Sequence, residues 1–266
     1  MGAVVYHNPL TGHYSVNLTA KDYGGQMKRT TLSLLSLVIF GLMTCSAAYG
    51  QPKVQLSETG FNFGKAAQHA QLTHTFWIKS VGTDTLDITK VEPGCSCTQA
   101  PLSDSIVAPG DSVALEIQFS TRSYRGFVAK RPYIVTNASA DKLYLRIDCE
   151  LVPDEITMSP IKIEPVRVDV SQFTKLPRRK AKFLLTNTSD KDYDLKVIDD
   201  RGKDFDVSLP KKIKAGETAD GFVEVHEDAI EKNFEESVTF QISDEQGTRF
   251  SIPIKRMYRV KSEASK

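Results

Sequence analysis

The sequence has 266 residues, of which 40% are apolar and 25% charged, and a formal net charge of +1. These are the values of a globular chain, and they exclude a collagen-like repeat or global disorder. So small a net charge gives no overall basic field that would draw in nucleic acid or an anionic membrane.

Residues 1–26 precede Met27-Lys28-Arg29, which reads as a start of its own; the stretch before it is expected to be an upstream extension or a disordered tail. Behind Lys28 and Arg29 comes an apolar run over residues 32–43, and Ala48-Tyr49-Gly50 puts small residues at the −3 and −1 positions of a cut before Gln51. A basic start, a short apolar run and a small-x-small site make a signal peptide over 27–50. The run falls short of the roughly 20 residues of a membrane span. The chain is therefore expected to be exported, to the periplasm or cell envelope or outside the cell. Membrane contact is expected only through an uncleaved signal or a lipid on Cys45, where Thr44 is a poor preceding residue.

From residue 51 onward, period-2 alternation dominates, which is the mark of half-buried strands. Leu72, His74, Phe76 and Ile78 share one face, as do Val113, Leu115, Ile117 and Phe119, and then Leu143, Leu145, Ile147, Cys149 and Leu151. Turn signals stand between them, among them Ala108-Pro109-Gly110-Asp111. A second block repeats this grammar with Phe183 and Leu185, Tyr193 and Leu195, Val223 and Val225, Val238 and Phe240, and Phe250 and Ile252. Helical periodicity is confined to residues 227–232. Phe76, Gly110 and Leu143 match Phe183, Gly216 and Phe250 at a spacing of 106 to 107, which reads as an internal duplication. Short alternating strands in units of about 100 residues predict an all-β chain of two tandem immunoglobulin-like β-sandwich domains. The first is expected over 51–153 and the second over 154–260, with a tail at 261–266.

Within the first block, Phe61-Asn62-Phe63-Gly64, His74-Thr75-Phe76, Cys95-Ser96-Cys97-Thr98, Pro109-Gly110-Asp111 and Thr136-Asn137 follow in order. This series resembles the bacterial family called domain of unknown function 1573, over residues 56–150, itself similar to ASH/MSP-type immunoglobulin-like modules. Ser96 stands where the family usually has glycine in its cysteine motif, and the second block has no cysteines. The resemblance implies a sandwich fold, an envelope or secreted setting and a Bacteroidetes-like source, and it implies no activity.

Cys95 and Cys97 are the sharpest chemical feature. In an extended segment residues two apart face the same way. The pair reads three ways: a soft-metal grip for an ion such as Cu(I), a reducible disulfide, or a structural role that includes a bridge from one of them to Cys149. Cys149 runs in phase with core positions and is expected to stay reduced there. His74 lies on an apolar face and reads as a satisfied core histidine, and Gly110 as a turn residue. His69 is a weak third metal ligand, and His226 has no evident partner. The basic groups at residues 175–182 and 211–214 read as solvated loops. No G-x-S-x-G, H-E-x-x-H, P-loop or G-x-G-x-x-G pattern is present. The functional expectation is a non-enzymatic binding or scaffold protein without a cofactor, acting on an unknown protein or glycan of the envelope. The alternative is metal handling or thiol redox chemistry at Cys95 and Cys97.

Overall fold

The computed structural model describes residues 3–7, 14–18, 50–153, 158–199 and 203–259. The signal peptide, Cys45, the 154–157 part of the expected boundary and the 261–266 tail lie outside the described residues, except Gly50. Two compact units are present, 1–49 and 50–266. In the first, Ala3–His7 pairs antiparallel with Tyr14–Leu18.

The second unit is all-β, in immunoglobulin-like sandwich form, apart from one turn of 3₁₀ helix at Glu227–Ala229, inside the stretch with helical periodicity. The alternation becomes burial directly. In the Gln71–Ser80 strand, Leu72, Phe76 and Ile78 are fully buried, and its partner Ser112–Ser120 buries Leu115 and Ile117. Each such side chain withdrawn from water contributes about 2 kcal/mol before chain entropy is counted.

Two apolar cores result. One gathers residues from Phe61 to Leu151, the other residues from Met158 to Ile254. The strand pairing repeats between them. Phe76 faces Leu115, and Phe183 faces Gly221. Leu86 faces Val107, and Tyr193 faces Ile213. Ile134 faces Leu143, and Phe240 faces Phe250. Every position moves by 106 or 107 residues from one half to the other, so the periodicity seen in the side chains is also a periodicity of hydrogen-bonded partners.

The halves are not beads on a string. One sheet runs through both, in the order Gly126–Lys130, Arg146–Val152, Gly60–Ala67, Arg249–Arg256, Phe234–Ile242, Tyr193–Asp199 and Lys212–Ile213. At its middle, Gly60–Ala67 of the first half lies parallel to Arg249–Arg256 of the second, with Lys65 facing Phe250. The cores interlock there: Ala67 belongs to the second core, and Ile198 packs against the first. Gly64 makes the junction feasible. Its φ is +67°, and a Cβ on it would sit 2.1 Å from the Arg249 carbonyl oxygen. Only glycine tolerates both conditions, which gives the last residue of the Phe61-Asn62-Phe63-Gly64 motif a physical reason.

Candidate functional site

Cys95 and Cys97 form a disulfide, with Cα atoms 5.3 Å apart and one residue between them. They sit in the turn between Leu86–Glu92 and Thr98–Gln99. Thr98 N donates to Cys95 O at 3.2 Å, and Ser120 N donates to Cys97 O at 2.8 Å, so the backbone of the turn is anchored to the Ser112–Ser120 strand. Cys97 is buried and Cys95 half-buried, while Ser96 between them is exposed. Thr98 Oγ1 lies 3.2 Å from Cys95 Sγ and 3.9 Å from Cys97 Sγ. The Arg122 guanidinium donates from Nη2 to Ser96 O at 3.3 Å, which brings a cation to the middle of the motif. A covalent loop this short removes little freedom from the unfolded chain, roughly 1.5 kcal/mol by the loop-entropy relation, against about 3 for a 15-residue loop. With both sulfurs joined, neither offers a thiolate to a soft metal.

Cys149 is a free, buried thiol on Arg146–Val152, facing the first core. Burial, helped by the negative charge of Asp148, pushes its pKa up to about 12. It holds its proton throughout the ordinary pH range, and it makes no bridge to Cys97. Gly110 occupies the tight turn with φ +90°, where its N–H donates to Ser80 O at 2.9 Å.

His74 is buried to 5% exposure and stacks on Phe61, ring centroids 3.7 Å apart and 8° from parallel, with Phe76 edge-on at 4.8 Å. Its Nε2 is 2.9 Å from Glu58 Oε1. Its Nδ1 is 3.0 Å from Asp199 Oδ2, close enough for an ion pair although the angle falls short of a hydrogen bond. Asp199 belongs to the second half, so this histidine is a tie between halves. His69 stands in a loop with φ +53°, its N–H donating to Arg122 O at 2.8 Å. His226 Nε2 pairs with Asp206 at 3.1 Å on the surface. No group of three or more metal-binding side chains occurs among the described residues.

Beside His74 lies a polar seam that sequence reading missed. Thr73 N donates to Ser237 Oγ at 2.9 Å, and Ser237 N donates back to Thr73 Oγ1 at 3.0 Å. The buried ammonium of Lys203 donates to Thr73 Oγ1 at 2.9 Å and Thr73 O at 3.3 Å. Further along, Ser251 Oγ donates to Phe63 O at 2.7 Å, and Arg249 Nη1 to Asn62 O at 3.2 Å. Glu236 has a buried carboxylate oxygen without a hydrogen-bond partner. Burial pushes its pKa up to about 7 against the opposing pull of Lys203. Period-2 alternation does flag Thr73 as out of phase with the first core, but nothing local says that a strand more than 160 residues away receives it.

At the far edge of the shared sheet, Gly126–Lys130 pairs, among the described residues, only with Arg146–Val152. Phe127 is 66% exposed on it, and Lys130 Nζ lies 4.5 Å from the Tyr124 ring centre. Phe127 also borders an open groove of about 880 Å³ whose lining includes Lys65, Glu150, Lys191, Asp192 and Arg249.

The fold and these sites define an immunoglobulin-like β-sandwich protein with a disulfide-closed turn. Residues 54–151 match the model of the family described as protein of unknown function (DUF1573), so the resemblance read from the motifs holds over the first half. No curated protein matches the sequence. Among solved structures, a protein of unknown function from Porphyromonas gingivalis W83 is 11% identical, with 76% of this chain and 98% of that one covered and a TM-score of 0.31. Domains 5-6 of the S-layer protein SbsC are 10% identical over 78% of this chain and 99% of that one, TM-score 0.27. A PapD-like (ASH) domain of human CEP192 is 10% identical over 39% and 87%, TM-score 0.31. Likenesses at this level carry no functional argument.

Proposed function

We propose that this chain is an exported, non-enzymatic binding or scaffold protein of the cell envelope that takes up an extended protein segment along the Gly126–Lys130 edge. The carrying observation is that edge: a terminal strand with exposed Phe127, bordering the groove. An incoming strand gains affinity from main-chain hydrogen bonds and selectivity from alternate side chains. The buried titratable groups support a structural rather than a catalytic reading, since His74 and Lys203 are engaged in joining the halves. The signal-like segment supports export, and intact mass of protein from its native cells should begin at Gln51; an unprocessed cytoplasmic chain would contradict that part.

For the edge, a displayed library of ten-residue extended peptides is panned on the full chain. Enriched peptides should bind the Phe127→Lys variant at least about tenfold more weakly, with an unchanged melting temperature, because one exposed anchor is removed. Peptides indifferent to that change, or binding confined to polysaccharide, would overturn the reading.

A further inference from the structure

We infer that the Cys95–Cys97 bridge is an exchange-active disulfide that accepts two electrons from a protein dithiol, with Cys95 as the sulfur attacked. Four features of the turn carry this inference, independently of the peptide edge. First, the bridge joins residues two apart, where cross-linking restrains the unfolded chain least. The sandwich around it already has a full apolar core. Stability therefore gives little reason for its presence. Second, the two sulfurs are unequally placed: Cys95 is half-buried and Cys97 is 4% exposed. Attack from solvent is directed to Cys95, and the leaving sulfur stays inside. Third, a hydroxyl lies near both sulfurs and a cation is held at the same turn. The Thr98 hydroxyl is within 3.9 Å of both sulfurs, and the Arg122 cation is fixed on the carbonyl between them. A thiolate beside a cation and a hydroxyl is a better leaving group. Fourth, the only two non-glycine residues with positive φ among the described residues meet here. Arg122 has φ +42° and His69 φ +53°, and the His69 N–H donates to Arg122 O at 2.8 Å. Strained backbone of this kind persists where the surroundings hold it, often at functional sites. Here it holds the residue that carries the cation.

The exchange balances as follows. A thiolate of the partner attacks Cys95 Sγ, the Cys95–Cys97 bond breaks, and Cys97 departs as a thiolate. The partner's second thiolate then attacks its own sulfur in the mixed disulfide and releases Cys95. The partner leaves as a disulfide, two electrons now reside on Cys95 and Cys97, and the protons lost by the partner's two thiols are available to them. Cys149, buried and protonated, takes no part.

The test uses the oxidised full chain and, as probe, a reduced thioredoxin whose resolving cysteine is replaced by serine, so that the mixed disulfide is trapped. Peptide mass mapping should place the adduct on Cys95, and the folded chain should be reduced by the intact thioredoxin with its circular dichroism unchanged. Arg122→Met should slow trapping roughly tenfold and raise the pH at which thiolate absorbance appears in the reduced protein, a readout that a merely structural arginine would leave unmoved. If the bridge is reduced only when the chain is unfolded, or if the adduct maps to Cys97, the inference is wrong.

Discussion

Cys97 and Asp204 occupy the same place in the repeat. Each stands one residue before a strand that pairs with the longer Ser112–Ser120 or Thr218–Val225 strand, Thr98 facing Phe119 and Phe205 facing Val225. Each gives its carbonyl to the same partner in the repeat, Ser120 N at 2.8 Å in one half and His226 N at 3.0 Å in the other. The side chains then diverge. The first turn is closed by a covalent bond and ends at exposed Ser96 and Arg122. The second uses charge: Asp204 pairs with Lys232 at 2.8 Å, and neighbouring Lys203 crosses the seam to Thr73. Duplication preserved the backbone hydrogen bonds, which the sandwich requires, and left the turn side chains open to separate uses. The second turn became part of the joint between halves. The first turn takes no part in the polar seam, which leaves its oxidation state free to change without disturbing it.

That contrast can be broken most sharply at Glu236, which lies near Lys203 in the seam. Its carboxyl titrates near 7 in the fold against 4.5 ordinarily. The fold therefore favours the protonated form; the stability this contributes is complete below about 4.5 and is lost as pH rises through 7. The difference corresponds to about 3 kcal/mol. Urea unfolding at pH 5 and pH 8 should show Glu236→Gln stabilised at the higher pH by up to that amount relative to the parent, with little change at the lower. Equal effects at both values would mean that the seam does not bury this charge.

A smaller effect, about 2 kcal/mol of destabilisation, is expected for Lys203→Met, which leaves Thr73 O without its charged donor. If this variant unfolds at the parent's urea midpoint, the second turn is no more committed to the joint than the first. The least costly change should be Cys95→Ser with Cys97→Ser, at roughly 1.5 kcal/mol. A loss beyond 4 kcal/mol would make the first turn a structural keystone and erase the distinction between the halves.

Much of this was legible in the residues. The in-phase positions Leu72, His74, Phe76 and Ile78 announce a strand with one buried face, and all four are buried. The 106-to-107 spacing was legible too, because a repeated fold must repeat its apolar positions. The motif series correctly marked the family resemblance over the first half. The site was legible only in part: the chemistry of Cys95 and Cys97 could be stated from their spacing, but the choice among metal, bridge and core packing could not.

By itself, then, the sequence determined the all-β class, the strand alternation and the presence of a closely spaced cysteine pair, because each is set by residues within a few positions of one another. Only the tertiary structure decided that one sheet runs through both halves, that Asp199 faces His74, and that Lys203 lies buried against Thr73. Those contacts join residues more than a hundred positions apart, and a strand's period shows which face is buried without showing what will cover it.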